Sequence, residues 1–179
     1  ELRNGSPRAL LGEEGVYSFD VRLDPWTVEL LHKSYSLDSQ ASLIDGTPLD
    51  DDVHLIGLGL SKEIVRHVDI TARAFTAYEG EIPGYHEGQL GLRYSIPVLQ
   101  PIDAGIFYLQ YHAGAGGGGG LANGSGFMHN LVGGWHWRPI RGLKFGFEAG
   151  RVESEQGDLD GDLYAFKLSF GATRPLAPR

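Results

Sequence analysis

The sequence predicts an all-β protein: a closed, antiparallel, up-and-down transmembrane β-barrel of eight strands. Three observations lead there. Stretches of about ten residues alternate apolar and polar at every step, the period of an extended strand. The connections between them alternate short and long, as in a barrel with one plain end and one elaborated end. No stretch approaches the ~20 consecutive apolar residues of a membrane-crossing helix, so any crossing falls to strands.

Taken in order, the alternation is sharpest in residues 15–25, GVYSFDVRLDP. There Tyr17, Phe19, Val21 and Leu23 interleave with Ser18, Asp20, Arg22 and Asp24, and 15–24 reads as the first strand. The next stretch, 27–37 (TVELLHKSYSL), is apolar enough for a strand as well. Counting it, with DPW as a tight turn, makes nine strands, whereas an even number puts both ends of a barrel on one side. It is therefore assigned to a short helix or a strand extension above the membrane, with a ninth strand as the alternative. Residues 53–61 (VHLIGLGLS) then meet 68–79 (VDITARAFTAYE) through KEIVRH, and 87–95 (EGQLGLRYS) meets 103–113 (DAGIFYLQYHA) through IPVLQPI. Residues 127–137 (FMHNLVGGWHW) meet 143–153 (LKFGFEAGRVE) through RPIRG, and 161–173 (GDLYAFKLSFGAT) closes the series. The longer connections are 38–52, 80–86, 114–126 and 154–160. Residues 1–14 and 174–179 read as tails, leaving 15–173 as one barrel domain.

Alternation alone does not say which face looks outward. A small soluble barrel points its large apolar groups inward, a membrane barrel outward. The polar face decides between them here, because it is rich in glycine and in charges of both signs. Both suit a cramped lumen in which ionised groups must pair. On this reading Asp20, Arg22, Asp69, Arg73, Arg93, Glu148 and Lys167 form a lumen polar network, with Gly91, Gly146 and Gly150 among them. The opposite faces carry Ile70, Leu90, Leu92, Phe107, Leu109, Phe145, Phe147, Phe166 and Phe170. Tyr78, Tyr94, Tyr111, Trp135, Trp137 and Tyr164 lie near strand ends, where aromatic girdles sit at a membrane interface.

The 179 residues carry a net charge of −8, which argues against a nucleic-acid partner. The absence of cysteine removes disulfides, cysteine-ligated metals and thiol nucleophiles. No cofactor is implied. The seven histidines lack zinc-site spacing. Asp158, Asp160 and Asp162, in DLDGD, are oxygen-rich but miss the twelve-residue calcium-loop pattern. The loop GAGGGGGLANGSG lacks the Lys-Ser/Thr of a phosphate-binding loop and is expected to be mobile. Acidic residues gather in the long connections, from Asp50, Asp51 and Asp52 to Glu153, Glu155 and Asp158. They form an outer surface for a protein partner or for divalent-cation bridging to lipopolysaccharide phosphates.

The strand pattern, together with Gly161-x-x-Tyr164-x-Phe166 in the last strand, resembles the small outer-membrane β-barrels of the OmpA-like and OmpX-like type. The resemblance is architectural and spans roughly 15–173. It implies a protein folded into a bacterial outer membrane, with membrane lipid and lipopolysaccharide as its surroundings. It also implies a role as a structural or interaction protein, with a narrow, porin-like channel and a lipid A-modifying hydrolase or acyltransferase as alternatives. For the enzyme alternative, Ser125, His129 and Glu153 are the residues that could meet at the loop end, although the His-x-Ser pair of the deacylase branch is absent.

Overall fold

Branched and aromatic residues at every second position favour extended backbone, and all the regular structure in the described residues is strand. The computed structural model describes residues 26–38, 41–49, 52–96, 105–122, 124–140, 142–157 and 159–171. Its strands are β1 (Thr27–Leu37), β2 (Val53–Val65), β3 (Val68–Glu79), β4 (His86–Ser95), β5 (Ile106–Gly117), β6 (Phe127–Ile140), β7 (Leu143–Ser154) and β8 (Gly161–Phe170). They pair antiparallel in chain order, and β1 closes on β8. Every strand is flanked on both sides, which leaves no edge for a foreign strand to pair with.

The segment assigned above to a short helix or strand extension is in fact the first strand of the wall. Thr27–Tyr35 pairs with β2, and Val28–Leu37 pairs with β8. The strand expected over 15–24 lies outside the described residues, and the eight-stranded ring is complete without it. The strand count therefore stands, but its first member changes.

The ladders fix the barrel's shape. From Thr27 they run through Ser61, Thr71, Gly91, His112, Asn130, Val152 and Gly161 and return to β1 at Leu37. That is a shear of ten residues around eight strands. With a rise of ~3.3 Å per residue and strands ~4.8 Å apart, this shear sets the tilt at about 40° and the radius at about 8 Å.

The polarity of the wall reverses partway up β1, β2, β7 and β8. Near the tight turns, apolar groups face out and polar groups face in. On β1, Val28 and Leu30 are exposed while Glu29 is buried; on β8, Phe166 is 62% exposed beside buried Lys167. On β7, Phe147 faces out beside buried Glu148. Toward the long connections the same strands invert. Leu31 and Tyr35 face in opposite His32, Ser34 and Ser36; Val152 is buried between Arg151 and Glu153; Leu163 is buried beside exposed Asp162. On β2, the exposed Leu58 and Leu60 give way to half-buried His54 between buried Val53 and Leu55.

The inward apolar residues of that upper half join residues carried by the connections. Leu31, Tyr35, Val53, Leu55, Phe75, Met128, Val152 and Leu163 pack with Ala41, Leu49, Ile82, Tyr85, Leu121 and Leu159 in one cluster. The long connections thus fold over the barrel mouth and fill it. The Gly-rich connection, expected to be mobile, is instead knitted into this cap. Gly120 O accepts from Ile44 N at 2.8 Å, Ala122 N donates to Ser42 O at 3.0 Å, and Leu121 is buried. Its glycines are needed for close approach: Gly118 and Gly119 have φ of 94° and 64°, and a side chain on either would strike the 82–84 backbone.

Candidate functional site

The interior of the turn-side half is an ion-pair network built from five strands. Its centre is Arg73 on β3, which holds Glu148 of β7 through two hydrogen bonds of 2.7 Å and Glu29 of β1 at 3.1 Å. Two parallel bonds match the guanidinium fork to the carboxylate plane, the strongest geometry available to such a pair. Arg93 on β4 donates to Glu29 at 2.7 Å and to Gln110 Oε1 at 2.9 Å, and approaches Asp69 at 3.5 Å. Lys167 on β8 donates to Glu148 at 2.9 Å, and so does the Tyr108 hydroxyl at 2.8 Å. The Tyr108 ring lies under both the Lys167 ammonium, 4.4 Å from its centroid, and the Arg93 guanidinium at 5.1 Å. Gln110 donates onward to Thr71 Oγ1 at 3.2 Å and also bonds His112.

Glycines make room for these groups. Five large inward side chains sit directly across a ladder from one: Tyr108 from Gly134, Lys167 from Gly146, Arg73 from Gly59, His112 from Gly91 and Phe75 from Gly57. A Cβ at Gly134 would overlap the Tyr108 ring.

A second, smaller polar group lies within the apolar upper half. Lys33 pairs with Glu87, and the Tyr35 hydroxyl donates to the same carboxylate at 2.8 Å. Tyr85, in the β3–β4 connection, donates to Glu87 at 3.3 Å; burial pushes its phenol above the ordinary range, which keeps the proton on it. The Lys33 ammonium lies 3.7 Å from the Phe75 ring centroid. Arg73, Arg93, Lys167 and Lys33 thus face Glu29, Glu148, Asp69 and Glu87, so each of these four cations has a carboxylate partner.

Of the residues expected in the lumen, Arg73, Arg93, Glu148 and Lys167 come together in the network, and Asp69 joins at its rim. Asp20 and Arg22 lie outside the described residues. The sequence reading missed Glu29, Lys33 and Glu87. The first two stand on β1, the segment assigned elsewhere. Their signal was nonetheless present: Glu29, Leu31, Lys33 and Tyr35 share one parity, opposite to Val28 and Leu30.

Among the acidic metal candidates, Asp160 accepts from Ser154 N at 2.8 Å, and Asp162 stands 3.8 Å from Arg151. Asp158 lies outside the described residues. Among the described residues no three acidic or histidine side chains gather as a metal site. Of the rim residues weighed for catalysis, His129 and Glu153 do meet, at 3.3 Å. The Ser125 hydroxyl accepts from Phe127 N at 3.4 Å.

No family model matches the chain, and no curated protein does. The resemblance to small outer-membrane barrels therefore rests on architecture, a closed, antiparallel, eight-stranded barrel, while the expected sorting of connections by length does not hold: ten residues separate β4 from β5 and only six separate β3 from β4.

Proposed function

We propose that the protein is a β-barrel of a bacterial outer membrane that serves as a structural or interaction protein, without catalysis, through its acidic outer connections. The observation that carries this reading is the reversal of polarity along the strands. A barrel wholly in water has no reason to turn Leu90, Leu109, Phe147 and Phe166 outward around a charged centre, because exposed apolar area and buried charge both cost free energy. Hydrocarbon around the turn-side half removes the first cost, and pairing within the network reduces the second. Beyond the reversal the barrel takes the form of a soluble one, as an extension projecting into water would.

The outward apolar belt covers three or four positions per strand, about 15–20 Å along the axis at this tilt. Such a belt suits the bacterial outer membrane, which is thinner than average. Aromatic residues mark its turn-side border: Trp26 with Lys62 over its ring, and Trp137 against Phe145. The opposite border carries an exposed polar cluster, where Arg151 reaches Asp38 at 2.5 Å, Asp162 at 3.8 Å and Glu153 at 4.0 Å.

The test is folding into lipid. Purified chain added to phospholipid vesicles should acquire heat-modifiable migration on a gel, and lipids brominated along the acyl chain should quench its tryptophans. A chain that stays monodisperse in water, with no quenching, would end the membrane reading. The hydrolase alternative draws on the His129–Glu153 contact. It requires acyl release from labelled lipopolysaccharide that disappears in Ser125→Ala and His129→Ala, and the structural reading expects no release at all.

A further inference from the structure

The outer wall is not evenly covered. Around β2, β3 and β4 it holds a trough of about 600 Å³, lined on its outer side by Val28, Leu58, Leu60, Ala72, Ala74 and Leu90, with Gly88 in its floor. The cause is a row of small residues. Ala74, Gly88 and Ala115 are consecutive on one ladder, and Ala72 lies one outward position below Ala74. A Cβ built on Gly88 would meet nothing within 4 Å. The flanking leucines of β2 and β4 stand as ridges on strands about 10 Å apart.

We propose that this trough seats one acyl chain of a membrane lipid, held as a specific ligand and not exchanged as freely as the lipid around the rest of the wall. The inference rests on the membrane reading above and adds a defined site to it. Three features select this occupant. The trough lies wholly within the outward apolar belt, so whatever covers the belt reaches it. One outward position above Ala74 and Gly88, which line it, stand Thr76 and His86, paired directly across β3 and β4. A chain lying in the trough therefore brings its headgroup to hydrogen-bonding side chains. A second copy of this barrel does not fit as well, because two convex walls of about 8 Å radius touch along a line and leave the floor of a narrow trough unfilled.

The experiment compares the full chain, folded in phosphatidylglycerol vesicles and extracted into mild detergent, with Ala74→Leu and Gly88→Leu, which fill the trough. Ala149→Leu on β7, at another small outward position, is the control. Native mass spectrometry after stepwise delipidation should find one phosphatidylglycerol retained by the wild type and by Ala149→Leu. The two trough variants should lose it at least tenfold more readily. Equal retention in all four proteins overturns the proposal, as does a dimer in the wild type that the trough variants abolish. Heat-modifiable migration, recorded for each protein, separates these outcomes from a failure of the membrane reading: a chain that never inserts fails that assay before any lipid is counted.

Discussion

Glu148 receives hydrogen bonds from Arg73, Lys167 and Tyr108 while only 1% of its side chain is exposed. Taking its charge away leaves Arg73 and Lys167 with Glu29 as their shared counter-ion, 3.1 and 3.9 Å away, in a place water hardly reaches. Removing one partner of such a pair costs ~3–5 kcal/mol. Glu148→Gln should therefore lower the urea midpoint of the vesicle-folded protein by that equivalent, read from tryptophan fluorescence. Arg151→Gln offers the contrast. Its pairs with Asp38 and Asp162 are half-exposed, and solvent screening limits such contacts to about 0–1 kcal/mol. A Glu148 variant no less stable than the Arg151 variant would show that the interior network contributes nothing. Gly134→Val probes the same centre sterically. The added side chain displaces the Tyr108 ring and with it the 2.8 Å bond to Glu148, an overpacking cost of ~1–3 kcal/mol.

At the scale of elements, the strands and their connections divide the interior between them. The turn-side halves of the strands supply the ionic network, while the upper halves and the long connections supply an apolar cap. Leu121 and Leu159 are buried although they belong to connections, not to strands. The bridge from Leu43 to Leu121 ties the β1–β2 connection to the β5–β6 connection. Leu121→Asp would place an unpaired carboxylate in that cluster, and the cheapest relief is to release the connection into water. The barrel beneath it keeps its own ladders. The expected result is rapid proteinase K cleavage between residues 118 and 126, with heat-modifiable migration unchanged. Wild-type cleavage rates would mean that the cap does not depend on this leucine.

At the scale of the whole molecule, the described strands close into one wall around an interior lined by buried side chains. Eight strands at this shear enclose a lumen that side chains can fill, and here they fill it with two chemistries in series, ionic below and apolar above. A hydrated ion entering from the tight-turn side meets paired charges and then a dry cap. Purified protein in planar bilayers is accordingly expected to give a flat current trace at 100 mV. A steady unitary conductance would favour the channel alternative. If conductance appears only in Leu121→Asp, the cap is the barrier and the network beneath it conducts.

The sequence by itself determined the eight-stranded count, the outward apolar residues of β3, β4, β5, β7 and β8, and four of the central charges. These follow from period-two patterning, which is local and survives without knowledge of partners. Tertiary structure decided the rest. The inward face of β1 mixes Glu29, Leu31, Lys33 and Tyr35, so neither of its faces is uniformly apolar and local alternation could not assign it. Its place in the wall comes from pairing with both β2 and β8, and β8 is more than a hundred residues away in the chain. The apolar cap was hidden for the same reason. Ala41, Ile82, Leu121 and Leu159 are isolated among polar and glycine residues, and only closure of the ring brings them over one mouth, where excluding water from their shared surface holds them.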